Sequence, residues 1–246
     1  MAKSLRLDLA LVQRGVFPTR HQAQVAIMAG HVQIDGRMAA KPSDLVQDSS
    51  DLTIVARDRY VGRGGTKLEG AIKHFGIDCE GKVALDIGAS TGGFTDCLLQ
   101  KGSSKVFAVD VGHGQLAWKI RADSRVVVLE KTNARHLSRE HIPEPIAICV
   151  IDVSFISLTL ILPNAFDLLT PDGVILALIK PQFELARADV GRGGIVRDPQ
   201  LHAKAQKKIS DFSRAMGAQV RGLFPSTITG TDGNQEFFIC LRKPSE

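Results

Sequence analysis

The fold class of this chain follows from one stretch, Leu85-Asp86-Ile87-Gly88-Ala89-Ser90-Thr91-Gly92-Gly93-Phe94. Its apolar start predicts a buried strand over 83–87, and its glycines predict a tight turn that leads directly into a helix. In open α/β sheets, ligands bind beyond the carboxyl ends of the strands, where this turn lies. The glycine spacing differs from the dinucleotide motif GxGxxG, which argues against a nicotinamide-dependent oxidoreductase.

On both sides of this stretch, short apolar runs alternate with helical stretches. Predicted strands cover 83–87, 105–109, 126–129, 146–151, 174–179, 219–223 and 236–241, and predicted helices cover 66–75, 93–100, 114–121, 156–168 and 199–216. Apolar strands that alternate with helices favour a mostly parallel sheet buried on both faces. The expected fold is therefore α/β, a seven-stranded Rossmann-like domain whose last two strands form an antiparallel hairpin.

Acidic residues at two consecutive strand ends indicate a nucleoside ligand. Asp86 closes the first strand and Asp110 follows the second, where a carboxylate commonly binds ribose hydroxyls. A carboxylate at Asp86 suits an amine-bearing ligand better than a pyrophosphate, which predicts S-adenosylmethionine as the cofactor. Asn133, after the third strand, is a candidate for the adenine edge, although an ordinary loop asparagine explains it nearly as well. The other candidate cofactor residues are Gly88, Ser90, Thr91, Gly92, Gly93 and Phe94.

Residues 1–58 predict a separate small α+β unit. Apolar periodicity indicates two helices, over 5–14 and after Thr19, and Asp35-Gly36 predicts a hairpin before a further strand at 52–55. Seven Lys/Arg against six Asp/Glu leave this segment nearly neutral, so charge alone does not indicate nucleic-acid binding. The arrangement does, because the cations around the helices and the hairpin could form one basic face: Arg6, Arg14, Arg20, Arg37 and Lys41.

The whole-chain composition excludes several classes of protein. The 246 residues carry a net charge of +5, and 44% of them are hydrophobic, as in folded globular chains. No apolar run approaches the roughly 20 residues of a membrane-spanning helix, and the first residues lack the apolar core of a secretion signal. The four cysteines show no CxxC spacing and the seven histidines no ligand spacing. We therefore expect a cytoplasmic protein without a disulfide framework or a metal site.

Four further polar residues stand at the ends of predicted elements: Lys67, Asp152, Lys180 and Glu236, here called the tetrad. Taken singly, each has an ordinary explanation, because polar residues often mark strand ends. Lys180 is the least ordinary, since it directly follows a wholly apolar strand. A lysine in that place is partly desolvated and needs a partner.

The N-terminal run RLDLALVQRGVFPTRHQAQVAIMAGHVQIDGRMAAKPS closely resembles the S-four type of RNA-binding domain. The resemblance implies that Arg6, Arg20 and Lys41 face RNA phosphates. We expect this domain to span 1–58, followed by a polar, glycine-rich linker at 59–64 and a catalytic domain at 65–246. Arg59 and Arg63 in the linker are further candidates for contact with RNA.

The second domain is similar to the FtsJ-type ribose 2′-O-methyltransferases, which carry a Lys-Asp-Lys-Glu tetrad. The whole chain resembles the TlyA family of ribosomal RNA methyltransferases, also called hemolysin A-like, in these segments: GRGGTKLEGAI, LDIGASTGGFTDCLL, VDVGHGQLAWKIR, LEKTNAR, DVSFISL, IKPQFE and GGIVRDP. The resemblance implies S-adenosylmethionine-dependent methylation of a cytidine 2′-hydroxyl in ribosomal RNA. Longer members carry an additional C-terminal helical tail, whereas this sequence continues only to residue 246 after the strand predicted at 236–241. This departure favours large-subunit (23S) over small-subunit (16S) RNA as the expected target.

The resemblance also suggests roles for the tetrad. Lys180 would receive or orient the proton of the 2′-hydroxyl, and Asp152 would orient Lys180 and contact the amino group of the cofactor. Glu236 would hold Lys67 or the target ribose. Burial and the charge of Lys67 favour loss of the Lys180 proton, whereas Asp152 favours its retention, and the sequence leaves that balance open.

Two regions and two other functions remain open at this stage. Residues 181–199, with Arg187, Arg192 and Arg197, are either a flexible surface loop or a lid that contacts RNA. Trp118 and Phe94 are expected to pack in the core or the cofactor pocket. The competing functions are a non-catalytic RNA-binding or ribosome-assembly factor and, less favoured, a membrane-lytic hemolysin, for which no amphipathic membrane segment is evident.

Overall fold

The computed structural model describes residues 4–28, 30–54, 59–230 and 232–245. Its contacts divide the chain into two compact units, Met1–Asp58 and Arg59–Glu246. The first unit contains β1 (Leu5–Arg6), α1 (Leu7–Gln13), α2 (Arg20–Met28), β2 (Val32–Ile34), β3 (Arg37–Met38), β4 (Leu45–Val46) and β5 (Leu52–Ile54). β2 pairs with β3 and β5, and β1 pairs with β4, all antiparallel. The predicted small α+β unit is therefore confirmed.

The core of the first unit is formed by α1, α2 and β2. Leu7, Leu11 and Ile27 are fully buried there, as the helical spacing predicts. Between β2 and β3, Asp35 and Gly36 have φ of 49° and 78°. Two successive positive φ angles are what a type I′ hairpin turn requires, so the Asp-Gly pair closes this hairpin.

The second unit is a helix–sheet–helix sandwich. Its elements are α3 (Arg63–Phe75), β6 (Val83–Ile87), α4 (Gly93–Gln100), β7 (Lys105–Val109), α5 (Trp118–Arg121), β8 (Val126–Leu129), β9 (Ile146–Ile151), α6 (Leu162–Asp167), β10 (Leu169–Ile179), α7 (Pro181–Glu184), α8 (Pro199–Ala215), β11 (Gln219–Pro225) and β12 (Phe237–Arg242). The sheet order is β11-β12-β10-β9-β6-β7-β8. β10, β9, β6, β7 and β8 run parallel, and β12 is antiparallel to both of its neighbours.

This topology confirms the predicted seven-stranded α/β fold, and it places the carboxyl ends of β10, β9, β6 and β7 side by side. Apolar residues of β6 alternate between the two faces: Leu85 and Ile87 pack into one core, and Ala84 packs into the other. A sheet buried on both faces is what parallel strands require. The adjacent strand ends therefore form one edge on which side chains from distant parts of the sequence can meet.

Four predicted strands, β6 to β9, and the helix α4 match the structure residue for residue. Four helix predictions are wrong in extent by two residues or more, and one of them is 66–75, because α3 begins at Arg63. The first helix begins at Leu7 rather than residue 5, because Leu5 and Arg6 pair with β4. The predicted helix 114–121 shortens to α5, and the predicted helix 156–168 divides into a 3-10 turn, Leu158–Leu160, and α6. Of the strand predicted at 52–55, residue 55 lies outside the described residues.

The segment 59–64, predicted as a linker, is integrated into the second unit. The Tyr60 ring is buried against α3, where a Cβ at Gly65 would lie 2.2 Å from it. The Val61 amide donates to Asp96 Oδ2 at 2.9 Å, and α3 already begins at Arg63. These contacts attach the segment to α4, the helix that follows the glycine-rich turn.

Candidate active site

The four tetrad residues line one cavity of about 190 Å³ at the carboxyl edge of the sheet. Lys67 comes from α3, Asp152 follows β9, Lys180 follows β10 and Glu236 immediately precedes β12. Residues of the glycine-rich turn complete the wall, including Gly88, Ser90, Thr91, Gly93 and Phe94. The fold thus brings together side chains that are up to 169 positions apart in sequence.

Lys67 and Glu236 form a buried ion pair. The Lys67 ammonium donates to Glu236 Oε2 at 2.5 Å, and both side chains are almost completely removed from solvent. Gly230 packs behind the carboxylate, since a Cβ there would lie 2.7 Å from Glu236 Oε1. A buried charge without a partner is strongly destabilising, so each member of the pair keeps the other in the cavity wall.

Lys180 lies between two acceptors from the loop after β9. Its Nζ is 2.6 Å from Asp152 Oδ1 and donates to Ser154 Oγ at 2.9 Å. The Ser154 contact is a hydrogen bond and the Asp152 contact is an ion pair, so the ammonium, which has three donors, keeps donor capacity for a group that enters the cavity. The predicted orientation of Lys180 by Asp152 has a direct geometric basis in this contact.

A larger cleft of about 1380 Å³ adjoins the small cavity and shares Gly88, Ser90 and Asp152 with it. Asp110 lies at its edge, and its carboxylate is fixed by two backbone amides: Ser90 N donates to Oδ2 at 2.8 Å and Gly112 N donates to Oδ1 at 2.6 Å. Asn133 also lines the cleft, although its Oδ1 already accepts from Arg135 N at the start of a 3-10 helix.

The glycines of the turn serve two different purposes. Gly88 has φ 86°, and a Cβ there would lie 2.2 Å from the Asp152 carbonyl oxygen. Only glycine permits this approach, so Gly88 brings the turn close to the loop after β9. Gly92, with φ 94°, packs instead against Leu116 of the loop before α5. Gly92 is not one of the described residues that line the two cavities, so it shapes the turn through packing and does not contact the cavity.

Asp86, predicted to bind the cofactor, does not lie where a ligand-binding residue at a strand end is expected. Among the described residues lining the two cavities, it is also absent. It shares the Ala84 face of β6, because strand side chains alternate, and there it is fully buried under α4. Thr95 Oγ1 donates to Asp86 Oδ2 at 2.6 Å, while Oδ1 has no partner among the described residues. Burial is the largest cause that raises the pKa of Asp86 to about 7. The charge of Asp152 adds to the rise, and the hydrogen bonds from Thr95 oppose it.

Comparison with known proteins places this architecture in a family. The FtsJ-like methyltransferase family matches residues 60–243, and the S4 domain matches residues 5–52. This chain belongs to the FtsJ-like methyltransferases. The second unit is accordingly called the methyltransferase domain below, and the first the S4 domain.

The similarity to known proteins extends over most or all of this chain. The 16S/23S rRNA (cytidine-2′-O)-methyltransferase TlyA of Mycobacterium tuberculosis is 45% identical over 248 residues, which are 100% of this chain and 92% of the relative. The 23S rRNA (cytidine-2′-O)-methyltransferase TlyA of Campylobacter jejuni is 33% identical over 199 residues, 80% of this chain and 76% of the relative. A solved Streptococcus thermophilus structure, of a protein named after hemolysin, has a TM-score of 0.76 at 42% identity and covers 99% of this chain and 90% of its own.

These relatives confirm the resemblance to the TlyA family and identify the chain as a methyltransferase. Part of the family carries the hemolysin name. Within the described ranges, we find no helix with the length and apolar character needed to cross a bilayer.

In the S4 domain, a single carboxylate organises the predicted RNA-facing arginines. Asp8 Oδ2 accepts from Arg6 Nη2 at 3.0 Å, Arg20 Nε at 2.9 Å and Gln24 Nε2 at 2.8 Å. The hydrogen bond from Arg6 is the largest cause that holds the pKa of the buried Asp8 carboxyl well below its usual range. Lys41 is exposed. The two arginines are thus held in place, while much of each guanidinium still faces solvent.

Three other arginines, predicted to join the basic face or to contact RNA, have partners within the protein. Arg14 does not join the basic face, because its guanidinium donates to the carbonyl oxygens of the loop 47–50. Arg59 pairs with Glu69 at 2.5 Å. Arg63 lines the tetrad cavity and donates to the Thr229 carbonyl oxygen at 3.0 Å, which places it beside the candidate reaction centre.

Two aromatic side chains, Phe155 and Trp118, are exposed to solvent, which the sequence did not predict. Phe155 lies at the rim of the large cleft with 90% of its surface exposed, φ 63°, and its ring centroid 5.0 Å from that of Phe183. The motif DVSFISL marks this loop, but a positive φ at phenylalanine cannot be read from sequence. Trp118 was expected to be packed and is instead 80% exposed at the start of α5, whereas Phe94 is buried in the cavity wall.

The predicted loop 181–199 contains several ordered turns. It begins with α7 and continues through 3-10 turns at Arg187–Asp189 and Arg192–Gly194. The Asn234 side chain attaches its far end, accepting from Val196 N and donating to the Gly194 carbonyl, both at 2.9 Å. Arg187 lines the large cleft, whereas Arg192 and Arg197 are exposed.

Proposed function

We propose that this chain transfers a methyl group from S-adenosylmethionine to the 2′-hydroxyl of a cytidine in ribosomal RNA. The observation that carries the proposal is the pair of lysine–carboxylate contacts, Lys67–Glu236 and Lys180–Asp152, in the same cavity wall as the glycine-rich turn. Both TlyA relatives named above act on the same atom of cytidine in 23S RNA, according to their names. Large-subunit RNA is therefore the favoured target, and small-subunit RNA is the second.

The large cleft has the character of an S-adenosylmethionine pocket. Asp110, fixed by Ser90 and Gly112, presents a carboxylate suited to ribose hydroxyls, and Ile87, Val109 and other apolar residues line the same cleft. Asp152 lies at the boundary with the tetrad cavity, where Lys180 balances its charge and its carboxylate oxygens are placed to accept from the amino group of the cofactor. Bound there, S-adenosylmethionine supplies an activated methyl group on sulfur. The chain's own task is then to position the hydroxyl in line with it.

Lys180 is the residue we assign to the reacting hydroxyl. A ribose hydroxyl becomes a competent nucleophile as its proton is withdrawn. In the transfer, the new bond joins the 2′-oxygen to the methyl carbon and the carbon–sulfur bond breaks. The hydroxyl proton leaves for Lys180 Nζ in its neutral form, after that group has released one of its own protons to solvent, or passes directly to solvent oriented by the ammonium. Asp152 by its charge and Ser154 by a hydrogen bond hold that nitrogen in the cavity wall, so the protein rather than thermal motion sets its position.

Lys67 supplies a fixed positive charge in the same cavity. Its contact with Glu236 holds the ammonium in the wall at 2.5 Å from the carboxylate, and both groups are sheltered from water. Charge–dipole interactions are stronger in such a place than in bulk solvent. We assign the pair to orienting the target ribose.

RNA would be bound by both parts of the chain. The half-exposed guanidinium groups of Arg6 and Arg20 suit phosphate oxygens. At the rim of the large cleft, the exposed Phe155 ring backed by Phe183 offers a surface on which an unstacked base can rest. Recognition of this kind depends on the shape of folded RNA more than on its sequence.

The test is methyl transfer from labelled S-adenosylmethionine to ribosomal subunits that lack the modification, comparing wild type with Lys180→Ala. A matched control is Lys105→Ala. Lys105 pairs with Glu144 and lies at the start of β7, the end of that strand opposite to the candidate site. We expect label in an alkali-resistant dinucleotide, because 2′-O-methylation blocks base hydrolysis. Loss of the proton-handling group should lower the rate about 10²–10⁴-fold, and the control should stay within twofold.

Three outcomes contradict the proposal. Label in alkali-sensitive nucleotides would mean that a base is methylated. Equal activity of wild type and Lys180→Ala would remove Lys180 from the reaction. Tight RNA binding with neither cofactor binding nor label would favour a non-catalytic RNA-binding factor.

A further inference from the structure

Two segments leave adjacent parallel strands at the candidate active site and are joined at three levels. The reaction loop, residues 152–158, follows β9, and residues 180–184 follow β10. At the first level Lys180 contacts Asp152 and Ser154. At the second level the rings of Phe183 and Phe155 meet. The third level is formed by Glu184 and has no part in the proposed reaction.

Glu184 is a buried carboxylate with all its partners in place. Oε2 accepts from Ser157 Oγ at 2.6 Å, and Oε1 accepts from Leu158 N at 2.7 Å. From α8, Lys208 Nζ donates to Oε2 at 3.0 Å and to the Glu184 carbonyl oxygen at 2.7 Å. Among the described residues lining the tetrad cavity and the large cleft, Glu184 is absent. An effect of Glu184 on the reaction therefore acts through the reaction loop, which it contacts at Ser157 and Leu158.

The reaction loop needs to be held at both ends. Phe155 has φ 63°, a conformation that non-glycine residues adopt only where their surroundings impose it. The Asp152 amide donates to the Ile87 carbonyl at 2.9 Å, which fixes the start of the loop. The Leu158 amide donates to Glu184, which fixes its end. Between these two points lie the groups that contact Lys180.

We propose that Glu184, neutralised by Lys208, is a positioning residue that fixes the reaction loop relative to Lys180. Only the carboxylate of this pair is buried, since the Lys208 side chain is 42% exposed. Burying a carboxylate is a poor means of gaining stability, because apolar residues of the same volume often do at least as well. A carboxylate that accepts from the end of the loop does something apolar packing cannot, which is to set the loop's register on α7. This inference rests on the proposed function of Lys180.

The test compares Glu184→Gln, Lys208→Met and Ser157→Ala with the control Glu144→Gln, which alters a glutamate–lysine pair at the opposite end of β7. Steady-state kinetics give kcat and the KM values for RNA and cofactor. A second readout is the rate at which trace acetic anhydride acetylates Lys180 in the folded, cofactor-free protein, measured by mass spectrometry. It reports how firmly Asp152 and Ser154 hold that amine, and it needs no turnover.

For Glu184→Gln we expect kcat to fall about tenfold or more, both KM values to stay within threefold, and Lys180 acetylation to rise at least threefold. Lys208→Met should act in the same direction, and the control should change neither quantity. If Glu184→Gln does not fold, Ser157→Ala, which removes a single hydroxyl, decides the matter, with about a threefold fall in kcat expected.

A lower melting temperature with unchanged kcat and unchanged Lys180 acetylation would overturn the inference, since Glu184 would then serve stability alone. A rise in both KM values with constant kcat would also overturn it. Faster Lys180 acetylation in the variants, together with an inactive wild type, would support the positioning role while the proposed reaction fails.

Discussion

The S4 domain and the methyltransferase domain use the same chemical pair, a carboxylate with a cation, in opposite ways. In the S4 domain the carboxylate of Asp8 is fully buried, and the side chains of its partners Arg6 and Arg20 remain 40% and 50% exposed. In the methyltransferase domain the cations themselves are buried: the side chains of Lys67 and Lys180 are only 10% and 12% exposed.

The difference separates binding from chemistry. A guanidinium has five donors in a rigid plane, so an arginine held by Asp8 still has free donors for a phosphate. A buried ammonium has lost its water, and its remaining donor capacity is open only to what enters the cavity. The first arrangement suits a surface that holds RNA in place, and the second suits a centre that acts on one hydroxyl. Four predictions test this division.

The largest effect is expected inside the tetrad. Glu236→Gln removes the charge that balances Lys67, and we expect the single-turnover rate of methyl transfer to fall on the order of 100-fold because a preorganised charge is displaced. RNA affinity, measured by filter binding, should change by less than twofold. An equal loss of rate and affinity would show that the tetrad and the RNA-binding surface are not separable.

The second effect concerns the stability of the S4 domain. Asp8→Asn removes the buried charge that holds Arg6, Arg20 and Gln24, and we expect a loss of about 2 kcal/mol, as for hydrogen bonds to a charged group. In hydrogen exchange of the full chain, amides within 5–54 should exchange about 30-fold faster, and those within 59–230 should not change. Faster exchange throughout the chain would mean that the two domains do not unfold separately.

The third effect contrasts two buried aspartates. Asp8 accepts from three side chains and has a lowered pKa, whereas Asp86 accepts from Thr95 alone and has a pKa of about 7. The pKa of Asp86 is higher in the folded than in the unfolded protein, so the folded state favours the neutral carboxyl group. The stability linked to that proton is fully present below about pH 4 and is lost as the pH rises through 7. Between pH 6 and 8, the unfolding free energy of wild type should fall by about 1.4 kcal/mol relative to Asp86→Asn.

Chemical denaturation at the two pH values measures this difference. The Asn variant provides the control, since its side chain does not titrate. Parallel pH dependence of both proteins would show that Asp86 is ionised in the folded state throughout this range.

The smallest effect is on RNA affinity. Arg20→Ala removes one candidate phosphate contact, and we expect about a fivefold weaker Kd at 0.15 M salt and a salt slope reduced by about one. The rate at saturating RNA should not change. Arg214→Ala, which makes the same charge change at a surface arginine of α8 paired with Asp211, is the control. Equal weakening by both variants would indicate a response to net charge alone.

Much of this protein was predictable because local patterns decide local structure. Continuous apolar runs fixed the bounds of β6 to β9, and glycines marked the turn before α4. The predictions were poorest where a residue's conformation depends on a distant partner. Residues 114–117 have helical spacing, yet Gly114 has φ 69° and its amide donates to Glu130 Oε1 at 2.9 Å instead of entering a helical turn.

The candidate site was predictable in its composition and less so in its geometry. All four tetrad residues were singled out from sequence, and the structure brings all four into one cavity. The burial of Asp86 was not predictable, because a strand pattern gives the alternation of faces, while packing decides which face contains the ligand. Glu184 ends the segment IKPQFE, but its role could not be read from that segment, since its partners lie 26 and 24 positions away.

The sequence by itself determined the fold class, the two-part organisation, the glycine-rich turn and the identity of the charged residues at the strand ends, because each depends on neighbours in the chain. Only the tertiary structure decided that Glu236 contacts Lys67, which the sequence left as one of two alternatives, that Arg6 and Arg20 share Asp8, and that Phe155 is exposed at the rim of a cleft. Those features depend on the order of strands in the sheet and on side-chain packing, which join residues that are far apart in the chain.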